Sequence, residues 1–333
     1  MPKEAVKTIK FDSIVKLFDF MSPWVQADLR SGIEFRHFVF RGHSNCRYKL
    51  IPTALRDDGP EKIWLAALIS TDSKLEIVKD SRLFDTLASH VSMEYRVIRN
   101  FYKLADQYGL PLPEHEQLRR NLTSSHDAYG LYTDYPENWI PDNLLEITAL
   151  AQHYGLPTRL LDWSYDKYIA LFFALQGIED SEGDACIWAL DKEYVSGKRY
   201  TDDDTGINFV TPSYFGNPNL NAQKGLFTHI PVELPQLTRT ATHGVKIPAA
   251  PIERKSVDEV IRNLQHDRNT PILLRLDFPK SERVAGLRLL HEMQYSHARL
   301  FPGYQGVADE IQFLGRNRLI PNDYNLVFES PKK

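Results

Sequence analysis

Three polar clusters, far apart along the chain, hold the residue types that do chemistry. The longest is the connector 153–163, which reads His153-Tyr154-Gly155-Leu156-Pro157-Thr158-Arg159-Leu160-Leu161-Asp162-Trp163. It sets an imidazole, a hydroxyl, a guanidinium and a carboxylate between two apolar stretches. A charge that near a core needs a partner, because an unpaired buried charge is very costly. One reading pairs Arg159 with Asp162 and pins the turn. The other lines a cleft at the ends of a sheet with His153, Thr158, Arg159 and Asp162. The two are compatible, since a pinned turn is also a firm platform for a site. The second cluster is Arg41-Gly42-His43-Ser44-Asn45, where Arg41 closes a run of β-formers. Strand ends are where ligands meet sheets in many α/β folds, and a guanidinium forks onto phosphate oxygens. Gly42 lets the backbone turn sharply there. Arg56 closes the next segment and reads as a surface charge. The third cluster, 219–230, is a Gly-bearing turn entering a strand with Gln223 at the turn, an ordinary turn residue taken alone.

The elements around these clusters follow from periodicity. Leu144, Ile147, Leu150 and Ala151 recur at helical spacing, Asn143 is the expected N-cap, and Gly155 and Pro157 end the helix. A second, deeply buried helix carries Ile169, Leu171, Phe172 and Leu175, capped by Ser164 or Asp166. A first helix begins at Asp12 or Ser13, and a short one is expected over 22–29. Residues 33–40 predict a strand ending at Arg41. Residues 60–69 and 81–107 predict helices, the second with a long apolar stripe. Glu94 lies close to that stripe; it reads as solvent-facing, with the orienting of an arginine as the other reading. A polar helix is expected near 114–121, and 123–138 is expected to be a loop that covers the cleft. Residues 184–191 and 272–278 predict strands, 257–264 a helix, and 281–293 a helix capped by Ser281. Residues 192–218 and 235–251 are expected to be turns and loop, 301–308 a turn, 309–314 a helical turn, and 323–329 a last strand. The fold class is therefore α/β (mixed α+β): a mixed central sheet with a helical N-terminal segment (1–32), a main domain (33–315) carrying a helical insertion at about 60–142, and a C-terminal strand and tail (316–333).

With 333 residues, 42% of them hydrophobic, the chain can bury a large core. Its net charge of -4 gives no global basic field for nucleic acid, although a local basic cleft is compatible with it. Cys46 and Cys186 suggest neither a disulfide framework nor a zinc cluster. Asp202-Asp203-Asp204 reads as a solvated turn, so no metal site is expected. The N-terminus lacks the apolar core of a signal peptide and no run is long enough to span a bilayer, so a cytoplasmic protein without a membrane partner is expected. There is no P-loop, no GxGxxG after a strand, no HExxH and no nucleophile elbow.

Phe40-Arg41-Gly42, the run 152–163 and Gln223-Lys224-Gly225-Leu226-Phe227 together resemble the FRG domain family, named for its Phe-Arg-Gly. Residues 300–306 are similar to that family's C-terminal turn, and the resemblance spans roughly 33–313. It implies a link to bacterial toxin or anti-phage defence systems, with an antitoxin or regulatory partner. A second resemblance, to ADP-ribosyltransferases, concerns mechanism. There an Arg or His on the first core strand holds NAD, a second strand with Ser-Thr or Tyr leads into a helix, and a later turn brings a Glu, sometimes preceded by Gln two residues earlier. Arg41, the segment 158–174 and Gln223 follow that order; Gly225 stands where the Glu is called for.

The transferase resemblance implies NAD as substrate, with Arg41, His153, Asp162 and Gln223 as the catalytic set. Arg41, Arg56, Tyr154, Thr158, Arg159 and Trp163 would bind the cofactor, and Asp309 or Glu310 is a reserve carboxylate. The acceptor would be a nucleic acid or a protein. Two other functions fit the same residues: a non-catalytic nucleotide- or nucleic-acid-binding, phage-sensing module, and a nuclease or phosphodiesterase built on His153 and Asp162. The lack of a clustered carboxylate metal site disfavours the last.

Overall fold

The computed structural model describes residues 4–22, 33–67, 86–113, 116–121, 138–177, 183–198, 200, 204–234, 238–239, 245–246, 250–264, 266 and 268–317. The expected helix at 22–29, apart from Ser22, the start of the helix at 81, the covering loop at 123–138, apart from Asn138, Asp202, Asp203 and the strand at 323–329 lie outside the described residues.

Seven strands form one mixed sheet: β1 (Val6–Lys10), β2 (Phe38–His43), β3 (Leu161–Ser164), β4 (Ala185–Asp191), β5 (Asn208–Val210), β6 (Gly225–His229) and β7 (Leu273–Phe278), in spatial order β1-β7-β4-β2-β3-β6-β5. Only β1 and β7 run parallel; the other neighbours are antiparallel. β4 is buried along its whole length, as its continuous apolar run requires of a central strand covered on both faces. Side chains of a strand alternate between the faces. Phe38, Phe40, Ile187, Ala189, Leu274 and Leu276 therefore pack with the helices Ile14–Met21, Lys167–Gln176 and Arg283–Glu292. Val39, Trp163, Trp188, Leu190 and Leu273 form the opposite core with Val257 and Ile261. A third core joins the long helix Leu87–Gln107 and the helix Leu145–His153 to Val210 and Phe227 of the sheet.

Several expectations are corrected. The N-terminal segment contributes an edge strand, β1, as well as a helix capped by Ser13. β2 begins at Phe38, after the short 3-10 turn Phe35–His37, so Arg41 lies inside the strand rather than at its end. Asn143 does not cap: Asp142–Leu144 forms a 3-10 turn and the helix starts at Leu145. The polar stretch after β4 contains the helix Lys192–Lys198 and the edge strand β5. Ser281 lies in a 3-10 turn, and the helix at Arg283 has no side-chain cap because Glu282 Oε2 instead accepts from the backbone N–H of Ile14. The expected turn at 301–308 gives way from Tyr304 to the helix Tyr304–Asn317. Within the expected loop at 235–251, Thr238–Arg239 and Val245–Lys246 pair as a short antiparallel ladder. Gly155 does adopt the left-handed conformation expected of it, at φ 88°.

Candidate active site in the gap between two strands

β2 and β3 are paired through a single register, Phe40 opposite Ser164. Beyond that pair the sheet opens into a cleft of about 430 Å³. Arg41 and Gly42 of β2, Gln152 and His153 at the end of their helix, Asp162 to Ser164 of β3, and Asn219, Gln223 and Gly225 beside β6 line it. Ala170, Phe173 and Phe301 form part of its apolar wall.

Gly42 is needed for close approach, not for a sharp turn. A Cβ there would lie 1.9 Å from the carbonyl oxygen of Ala170, inside the helix Lys167–Gln176. Asp166 caps that helix by accepting from the N–H of Tyr168, while its other oxygen accepts from Lys224 Nζ at 2.8 Å and from the hydroxyl of Tyr295 at 3.0 Å. The turn that carries Gln223 is thereby tied to the start of the helix. Lys224 itself sits in the left-handed region at φ 47°. Ser164 donates to the carbonyl oxygen of Gln223 and accepts from the N–H of Asp166, which joins β3 to the same turn.

Arg41 is held on two sides. Its Nε donates to His43 Nε2 at 3.0 Å, and its Nη1 donates to the carbonyl oxygen of Asp162 at 2.8 Å and to Oδ2 at 3.2 Å. Burial, Arg41 and Arg56 push His43 down to about 3, so its ring is neutral and free to accept. Burial lowers the Arg41 pKa, Asp162 opposes that and Arg56 adds to it. Arg56 is exposed and does not line the cleft, yet its charge bears on both Arg41 and His43. Gln152 Nε2 donates to Asp162 Oδ1 at 2.5 Å, and the amide's own oxygen accepts from Thr158 Oγ1. Burial lowers the His153 pKa, with Asp162 opposing, so this ring is also neutral at neutral pH.

The structure thus brings Arg41, His153, Asp162 and Gln223 to one cleft, with Trp163 in its wall. Trp163 is 3% exposed and its Nε1 donates to Thr228 Oγ1, which holds the ring in the core. Tyr154 is exposed beside His153 and does not line the cleft. Thr158 is buried behind it, and Ser164 is the hydroxyl residue that lines it. Arg159 does not pair with Asp162. It is buried against Glu94, with Nε 2.8 Å from Oε2; the same carboxylate accepts from Trp139 Nε1 and lies 2.9 Å from His90 Nε2. Glu94 is therefore a core residue, not a solvent-facing one. Gln223 spends its side-chain N–H on the carbonyl oxygen of Leu300. Asp309 lines a separate cleft and Glu310 accepts from the N–H of His297, so neither reserve carboxylate reaches the first cleft. Gln152, Ser164 and Asn219 line the cleft although the sequence did not mark them as site residues; Gln152 stands beside His153 in the motif.

An arginine and a carboxylate thus face each other across a split in a largely antiparallel sheet of an α/β domain. Residues 36–183 match the FRG domain family. The match takes in Arg41, His153 and Asp162 and ends before Gln223, so the fourth side of the cleft comes from beyond the matched span. No curated protein and no solved structure matched the chain. Among the described residues there is no group of three or more His, Cys, Asp or Glu side chains arranged to hold a metal, and no helix is long and apolar enough to cross a membrane.

Proposed function

We propose that the cleft binds NAD and that the protein is an ADP-ribosyltransferase. The carrying observation is that β2, β3 and β6 lie side by side and that Arg41, Ser164 within the segment 158–174, and Gln223 at the turn before β6, which follow the chain order of that resemblance, line one hollow. In this reading Arg41 takes the diphosphate, assisted by the nearby charge of Arg56. The N-glycosidic bond breaks with its electron pair leaving on nicotinamide. The acceptor's nucleophile bonds to the anomeric carbon and loses a proton, which the neutral His153 is suited to receive. Asp162, the single carboxylate among the described residues that line the cleft, stabilises the oxocarbenium-like charge. An acceptor on a nucleic acid or a protein would make the chain a toxin or anti-phage effector.

The test is nicotinamide release, and transfer of label from NAD to RNA, DNA or protein of a cell extract. Wild type should label one of these pools, and Arg41→Ala and Asp162→Asn should not. Absence of nicotinamide release with every pool would remove the proposal. A second reading, nucleotide binding without cleavage, is favoured by Gly225, which stands where the resemblance calls for a Glu. It predicts saturable, salt-sensitive binding with no product.

A further inference from the structure

The cleft is not an open cationic hole, because Asp162 already engages the guanidinium of Arg41. The two oxygens of this carboxylate are held unequally. Oδ1 accepts from Gln152 at 2.5 Å, and Gln152 is oriented in turn by the buried Thr158, whose Oγ1 also accepts from the N–H of Leu160. Oδ2 meets Arg41 Nη1 at the longer distance of 3.2 Å, and the carboxylate side chain is 58% exposed. One oxygen is anchored from within the protein; the other is a weak, solvent-accessible contact of the kind a ligand can replace. The charge of Arg56 also bears on Arg41, and for two neighbouring guanidiniums a more highly charged anion is a better match than one carboxylate.

We propose that Asp162 is an internal competitor for the anion of this cleft. A diphosphate displaces Oδ2 from Arg41 while Gln152 keeps Oδ1 in place, so seating the anion and freeing a carboxylate oxygen are one event. The inference rests on the reading of Arg41 as the diphosphate ligand. It makes Gln152 a positioning residue and gives the cleft an order of events. The charge of Asp162 is neutralised until the diphosphate arrives, and only then is it available to a developing cation. Freeing a carboxylate oxygen from its guanidinium only after the substrate is bound would suit a reaction that passes through a reactive cation.

The test titrates inorganic pyrophosphate into the full chain by calorimetry. Asp162→Asn keeps an oxygen for Gln152 and removes the competing charge. It should bind pyrophosphate about threefold to tenfold more tightly than wild type. Arg41→Gln should lose binding in either background. Glu146→Gln removes a carboxylate from the same helix as Gln152 but outside the cleft lining, and should leave the affinity unchanged. If Asp162→Asn does not fold, Asp162→Ser serves in its place. Equal or weaker binding by the Asp162 variant, equal tightening by Glu146→Gln, or no binding by wild type and the Asp162 variant alike would overturn the inference. Tightening without nicotinamide release would leave it standing and remove the transferase. Nicotinamide release without tightening would do the reverse.

Discussion

Two arginine–carboxylate pairs meet at the same bend of the chain and have different work. Arg159 and Glu94 are 2% and 3% exposed in their side chains, and the carboxylate also touches Trp139 and His90. Arg41 and Asp162 are 15% and 58% exposed and line a cleft. A buried pair that loses one member leaves an uncompensated charge in the core, whereas removal of Arg41 from the second pair leaves Asp162, a largely exposed charge that water can solvate. The first pair therefore fixes where the bend sits. The second leaves its partners available to a ligand.

That contrast can be broken most sharply at Arg159. Arg159→Ala should destabilise the fold by about 3–5 kcal/mol in urea unfolding, because Glu94 would remain buried without its counter-charge. A loss under about 1 kcal/mol would place the pair among ordinary surface bridges.

Acid should act on the same pair. Burial alone would raise the Glu94 pKa, but Arg159 and His90 outweigh it and hold the group at about 2, below the ordinary 4.5. As pH falls the unfolded chain takes up this proton first. The stabilisation from Glu94 is therefore complete above about pH 4.5 and is lost between there and about pH 2. It amounts to roughly 3 kcal/mol, and Glu94→Gln should flatten that part of a stability–pH curve.

Gly42 separates packing from chemistry within the Phe-Arg-Gly triplet. Gly42→Ala should cost about 1–3 kcal/mol, because the new Cβ meets the carbonyl of Ala170 and the helix must shift. The smallest expected change is at the cleft pair itself. Arg41→Ala should cost about 1 kcal/mol or less in stability while abolishing pyrophosphate binding. A large loss of stability at Arg41 would erase the distinction between the two pairs.

The legible and illegible parts of the sequence divide along similar lines. Strand β4 and the helix Lys167–Gln176 were readable because their apolar runs are buried on every side. The helix stop at Gly155 was readable because glycine suits a positive φ. The edge strands β1 and β5 were not, since short half-exposed strands carry little periodic signal. Arg159 and Asp162 stand three apart, so spacing permitted the pair that did not form. Its true partners, Glu94 and Arg41, lie 65 and 121 residues away and depend on tertiary structure. Gln152 stood in the motif 152–163 without a role; the hydrogen-bond chain from Thr158 to Asp162 gives it one.

The central claim is that the gap between β2 and β3 takes the diphosphate of NAD on Arg41. Its most direct test is calorimetric titration of NAD into wild type and Arg41→Ala at low ionic strength, with folding of the variant verified by circular dichroism. The account predicts saturable binding by wild type and at least an approximately tenfold loss in the variant, the cost of about 1.4 kcal/mol for one charge-assisted contact. Equal affinity in the two proteins, or no binding by wild type, would contradict it.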